Sequence, residues 1–194
     1  MSGLSDMQPV TPPDRAPGHF WPEGVPRQQT VPQQSLWANL QTAATRHPHK
    51  PAIVFNNTVT TYAELLAQTE QLAGWLQQNA GVRRGDRVLL LAQNSPAFSV
   101  AYYAVLRADA MVVPVNAMST ADDLAYLADN SGAAVAITDA ALAGAALACP
   151  RLAQVLLIGE GEINDPRTTQ WADAANSARS TLKATFSCVT GSNA

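Results

Sequence analysis

The chain has 194 residues, 47% of them apolar and 14% charged, with a net charge of −3. That length suits one ordinary domain, able to bury roughly 70% of the surface its unfolded form exposes. The acidic balance excludes the basic footprint of a nucleic-acid binder, no cluster of Lys and Arg offers a hold on an anionic membrane, and Cys149 and Cys188 lack zinc-site or disulfide-framework spacing.

The first residues, MSGLSDMQPV, lack the basic, apolar, small-residue order of a signal peptide. The longest mainly apolar stretch, from Ala133 to Cys149, is interrupted by Asp139 and falls short of a membrane span. With only two thiols, which fit a reducing compartment, the expected location is the cytoplasm. Residues 1–32 hold seven of the 13 prolines and show neither helical nor strand period, so an irregular arm is expected. Within it, the adjacent Phe20 and Trp21 are the side chains suited to pinning it to a surface.

Ser35 is a good N-cap for a helix carrying Leu36, Leu40, Ala43 and Ala44 at helical spacing, closed by Pro48. Two short β-rich runs, 52–55 and 58–60, flank Asn56-Asn57 and read as a hairpin, since Asn tolerates the positive φ of a tight turn. Tyr62, Leu65, Leu66, Thr69, Leu72, Ala73, Leu76 and Ala80 share one helical face. Thr61 and Glu64 have capping-box spacing at its start, and Gly81 suits the left-handed position at its end.

After Gly81 the period changes. The unbroken apolar run 87–92 reads as a strand buried on both faces. Asn94 or Ser95 caps the next helix, with Pro96 in its first turn. Residues 110–115 read as a second buried strand, and Thr120 opens a helix with Asp122 and Asp123 where its dipole favours acids. A third strand at 133–138, a short helix at 140–148 and a fourth strand at 155–158 follow. Beyond Gly159 the order fades, leaving one candidate helix at 171–178. Alternating continuous strands and helices predict an α/β fold, in which βαβ units form a parallel sheet flanked by helices. The expected division is an arm over 1–32, an α/β subdomain over 33–159 and a poorly defined tail over 160–194. An incomplete sheet leaves an edge through which the chain can self-associate.

Several polar residues invite a functional reading, and each has a plainer one. Asp86 reads as a turn residue before a strand and Glu64 as a cap. Of Tyr102 and Tyr103, one is expected in the core and the other at polar surface. Asp109, at the unfavourable end of its helix, is expected to pair with Arg107 or Arg87. His47 and His49 flank Pro48 in a loop and read as solvated. Cys149 reads as a packing residue, since no base is placed beside it. Trp21 reads as an anchor of the arm. No catalytic, cofactor-binding or metal-ligating residue is assigned.

An ordered series of short segments carries a resemblance. It runs Trp21-Pro22-Glu23-Gly24-Val25-Pro26, Pro51-Ala52-Ile53, Thr61-Tyr62-Ala63-Glu64-Leu65 and Gly81-Val82-Arg83-Arg84-Gly85-Asp86-Arg87-Val88. It continues through Gln93-Asn94-Ser95-Pro96, Pro114-Val115-Asn116 and Asp129-Asn130-Ser131-Gly132-Ala133. Each segment alone is a cap or a turn, but in this order from about Trp21 to Ile158 the series resembles the N-terminal part of the adenylate-forming superfamily. That group includes acyl- and aryl-CoA ligases, beetle luciferases and peptide-synthetase adenylation domains. The opening Trp-Pro-Glu-Gly-Val-Pro is most similar to bacterial long- and medium-chain fatty-acid–CoA ligases.

The resemblance implies a two-step reaction. A fatty or other carboxylic acid attacks the α-phosphate of ATP with magnesium present, and CoA then displaces AMP. The family's Ser/Thr/Gly-rich phosphate loop ending in Pro-Lys-Gly, its Tyr-Gly-x-Thr-Glu stretch, its ribose-binding aspartate and its C-terminal lysine do not occur here. The nearest text is Val189-Thr190-Gly191-Ser192. The expectation is an N-terminal portion ended by a truncation or by a frameshift after about Trp171, inactive and without cofactor alone. The alternatives are a stand-alone nucleotide-binding module and an interaction module. Against the former, neither GxGxxG nor GxxxxGK[ST] follows any strand.

Overall fold

The structure, a computed structural model, describes residues 34–159, 161 and 163–179. The chain divides into two units, Met1–Gln33 and Gln34–Ala194, and all described residues belong to the second. The expectations for the arm, for Phe20 and Trp21, for Cys188 and for the segment 189–192 lie outside the described residues.

Helix α1, Leu36–Arg46, starts where the Ser35 hydroxyl accepts the Ala38 N–H. The hairpin pairs β1, Pro51–Phe55, antiparallel with β2, Thr58–Thr61, through a two-residue turn with φ of 46° at Asn56 and 60° at Asn57. Those are the left-handed values that match the twist of paired strands. Helix α2, Tyr62–Gln78, opens with the full capping box: the Glu64 carboxylate accepts the Thr61 N–H at 2.8 Å and the Thr61 hydroxyl accepts the Glu64 N–H at 3.3 Å. It ends with Gly81 at φ 68° and the Val82 N–H donating back to the Leu76 carbonyl at 2.9 Å. This pattern satisfies carbonyls the helix itself leaves open.

The remaining strands form one parallel sheet. They are β3 (Arg87–Leu91), β4 (Met111–Pro114), β5 (Val135–Asp139), β6 (Gln154–Ile158) and β7 (Thr168–Gln170), in the order β4-β3-β5-β6-β7. Helices α3 (Pro96–Arg107), α4 (Ala121–Ser131), α5 (Ala143–Leu147) and α6 (Trp171–Arg179) connect or follow them, with a 3-10 turn over Ala140–Leu142. Alternate residues of β3 serve opposite faces. Val88 and Leu90 join a core with α1, α2, α3 and Ala174 of α6, whereas Leu89 and Leu91 join a second core with α4 and α5. The sheet is thus the middle of three layers, which is why its central strands read as unbroken apolar runs.

The structure corrects two readings of the sequence. The run 110–115 is an edge strand, not a second buried one: β4 lies outside β3, with Met111 51% exposed and Pro114 exposed. Order also does not fade at Gly159. Thr168–Gln170 pairs with β6, and Ala174 of α6 is fully buried in the first core. Arg167 secures this return. Its guanidinium donates to the carbonyls of Leu147, Cys149 and Leu152 and to both Asp165 oxygens. The positive group thereby sits at the negative end of α5, the favourable place for it.

Candidate functional site

In an open parallel sheet the strand carboxyl ends are the natural place for a ligand, where chain connections reverse direction. Here the chain goes from β3 outward to β4, then back across to β5. The loops after β3, β4 and β5 meet at that edge. Between the first two opens a cleft of about 390 Å³, lined among others by Gln93, Asn94, Phe98, Pro114, Val115 and Asn116.

Its walls are locally fixed. The Ser95 hydroxyl accepts the Phe98 N–H at 3.1 Å and starts α3, with Pro96 in the first turn. Between the two candidate caps, Ser95 is the one used. The Val115 N–H donates to the Leu90 carbonyl at 2.9 Å, extending the β3–β4 ladder into the cleft. The Asn116 side chain accepts the Met118 N–H at 2.9 Å, turning the chain toward α4. There the Thr120–Asp123 capping box begins the helix, so Asp123 is held by a reciprocal cap in addition to the dipole. Behind the cleft, the Asp139 carboxylate accepts the Gln93 N–H at 2.7 Å.

This arrangement can bind but offers little chemistry. The lining presents amides, an aromatic ring and apolar groups, and no charged side chain. No nucleophile–base pair faces the cleft, and among the described residues no cluster of His, Cys, Asp and Glu is arranged to hold a metal. The loop after β3 contains no glycine to admit close approach of a phosphate. A triphosphate therefore finds no counter-charge among the lining residues.

The carboxylates with shifted titration lie elsewhere, and each is structural. Glu64 is held below its ordinary range by the Thr61 backbone N–H, then by the Thr61 hydroxyl, and Asp123 likewise by Thr120. Asp165 is lowered first by the Arg167 side chain and then by its backbone N–H, while Asp165 raises Arg167.

The other sequence candidates are dispersed. Asp86 is a turn residue whose carboxylate accepts the Arg83 N–H at 2.8 Å. Tyr102 and Tyr103 depart from the expected split: both are half-buried, edge to face, with ring centroids 5.9 Å apart. Asp109 is distinguished by its backbone, at φ 59°, whose carbonyl accepts the Gly85 N–H. Arg87 is directed to the carbonyls of Ser131 and Gly85, and Arg107 lies over the Trp37 ring, 5.5 Å from its centroid. His47 and His49 are exposed, and Cys149 is buried. Sequence reasoning passed over Asp139 and Asn116. The available signal was a polar residue directly after a buried strand, at the end where ligands gather.

The fold and cleft define the chain as an open parallel α/β domain with a cleft at the strand carboxyl ends. Residues 40–188 match the family described as AMP-binding enzyme, and the chain belongs to that family. Over 118 residues it is 34% identical to the long-chain-fatty-acid–CoA ligase of Bacillus subtilis, covering 61% of this chain and 21% of that protein. Over 110 residues it is 40% identical to the feruloyl-CoA synthase of an Amycolatopsis species, covering 56% of this chain and 22% of that protein. The crystal structure of coronafacic acid ligase from Pectobacterium brasiliense superimposes with a TM-score of 0.68 at 21% identity, over 74% of this chain and 29% of that one. The chain thus spans about a fifth of the curated relatives it matches. No described helix is long and apolar enough to cross a membrane.

Proposed function

We propose that this chain forms the N-terminal portion of an ATP-dependent, AMP-forming ligase that activates a carboxylic acid and passes it to CoA. In this reading the chain alone is inactive. The observation that carries it is the family match over 40–188 together with a cleft that has binding amides but no group for phosphate or proton transfer. A fatty acid is the favoured substrate, because the Trp-Pro-Glu-Gly-Val-Pro segment resembles fatty-acid–CoA ligases. ATP, magnesium and CoA are the implied co-substrates, and a cytoplasmic location accompanies them. The division into an arm over 1–32 and a subdomain from 33 belongs to the same reading. So does self-association through the β4 edge, with Met111 exposed on it.

Fatty-acid-dependent ATP–pyrophosphate exchange tests the proposal. The 194-residue chain should give no exchange above blank. A chimera in which it replaces the matching segment of the Bacillus subtilis ligase should give fatty-acid-dependent exchange. Exchange by the chain alone refutes its inactivity, and a folded chimera without exchange refutes the ligase reading. Sedimentation of the same chain reads association, and a monomer at all concentrations refutes pairing through β4.

A further inference from the structure

The strand order puts the reversal of chain direction between β3 and β5, since β4 lies on one side of β3 and β5 on the other. In sheets of this order the crevice at the reversal is the usual ligand seat. Here a side chain spans it. The Asp139 carboxylate, at the end of β5, accepts the N–H of Gln93, just past the end of β3, at 2.7 Å and across 46 residues of sequence. A carboxylate accepting from a backbone N–H is among the stronger hydrogen bonds available.

The local geometry sharpens the point. Asp139 stands at the N-cap of the 3-10 turn Ala140–Leu142, yet makes no side-chain cap there. An N-cap side chain ordinarily accepts an N–H of its own helix, as the Thr61 and Thr120 hydroxyls accept the Glu64 and Asp123 N–H groups. Asp139 instead directs its acceptor across the sheet.

We propose that Asp139 is a positioning residue. Its carboxylate closes the crevice between β3 and β5 and fixes the Gln93–Ser95 loop as one wall of the 390 Å³ cleft. A ligand at this edge is then confined to the β3–β4 side. Asp139 acts on it only through Gln93, because Asp139 itself does not line the cleft. The inference rests on the hydrogen bond and the strand order, and it stands whether or not the ligase reading holds.

Residue-resolved amide hydrogen exchange on the 194-residue chain tests it, with Asp139→Ala and Asp139→Asn compared to the parent. In the parent, the Gln93 amide should be protected relative to that of Asn94. In D139A, Gln93 exchange should accelerate on the order of tenfold or more, the worth of a hydrogen bond to a charged acceptor. The strand amides of Val88, Leu89 and Leu90 should keep their rates. D139N retains a neutral acceptor oxygen and should fall between the two, which also gives a reading if D139A does not fold. An unprotected Gln93 amide in the parent overturns the proposal. So does an unchanged Gln93 rate in the variants, or a uniform acceleration of all amides, which marks Asp139 as a general stability element.

Discussion

Gly132→Ala is expected to destabilise the fold for two separable reasons. Gly132 ends α4 at φ 72°, and an L side chain in that region costs about 1–2 kcal/mol. A Cβ at this position also runs into the Arg87 guanidinium, which lies against Gly132 while donating to the Ser131 carbonyl. Arg87 has a flexible stem and can retreat, but doing so gives up a partly buried charged hydrogen bond of about 1.5–3 kcal/mol. The total is about 2.5–5 kcal/mol, a large fraction of a domain's stability. Urea unfolding measures it, followed by fluorescence of Trp75, which is 3% exposed and senses loss of the core. The second contribution is isolated with Arg87→Met, which keeps the apolar stem and removes the guanidinium. In the Arg87→Met background, Gly132→Ala should cost only its backbone component, a coupling of about 1.5–3 kcal/mol between neighbours. Equal costs in both backgrounds refute the contact, and a cost under about 0.5 kcal/mol refutes the left-handed argument as well.

Arg167→Met should loosen the return into β7. Exchange of the Val155 amide, which donates to the Arg167 carbonyl, should rise roughly tenfold while β3 amides hold; an unchanged Val155 rate refutes the anchoring role. Stability should also fall in acid. The carboxyls of Glu64, Asp123 and Asp165 titrate lower folded than unfolded, so their contribution is complete above the unfolded value near pH ~4 and lost as pH drops through the folded ones. The urea midpoint of a Glu64→Gln, Asp123→Asn double variant should therefore vary less between roughly pH 5 and pH 3 than the parent's. Equal slopes refute the capping argument.

What was legible in the sequence was what lies close along the chain. Thr61 with Glu64 and the Asn56-Asn57 turn are each written within three residues and appear as written, and of the two caps offered at Asn94 and Ser95 the helix uses Ser95. The period of β3 announced a strand covered on both faces for the same reason. Strand order is not local. Met111–Pro114 is as apolar as a central strand, but its exposure depends on β3 having β4 on one side and β5 on the other. Thr168–Gln170 carries no apolar residue at all, and its place in the sheet depends on Arg167 reaching carbonyls up to 20 residues away. Asp139 interrupted an apolar run and nothing more until the fold brought Gln93 to it.

The same distinction separates the structural acids from the candidate site. Glu64, Asp123 and Asp165 each take hydrogen bonds from backbone and side chain within three residues, and those bonds account for their lowered titration without any ligand. Perturbed carboxylates usually point to a functional site; here they mark two helix starts and one loop. The cleft, by contrast, is electrically quiet, with Gln93, Asn94 and Asn116 as its polar groups and the Asp139 carboxylate behind it. Among the described residues that line the cleft, none carries a positive charge to offset a triphosphate. Catalysis of acyl-adenylate formation needs fixed positive groups aimed at the developing charge. In the proposed ligase those groups come from residues other than the ones lining this cleft, with this unit supplying a shaped, hydrogen-bonding wall.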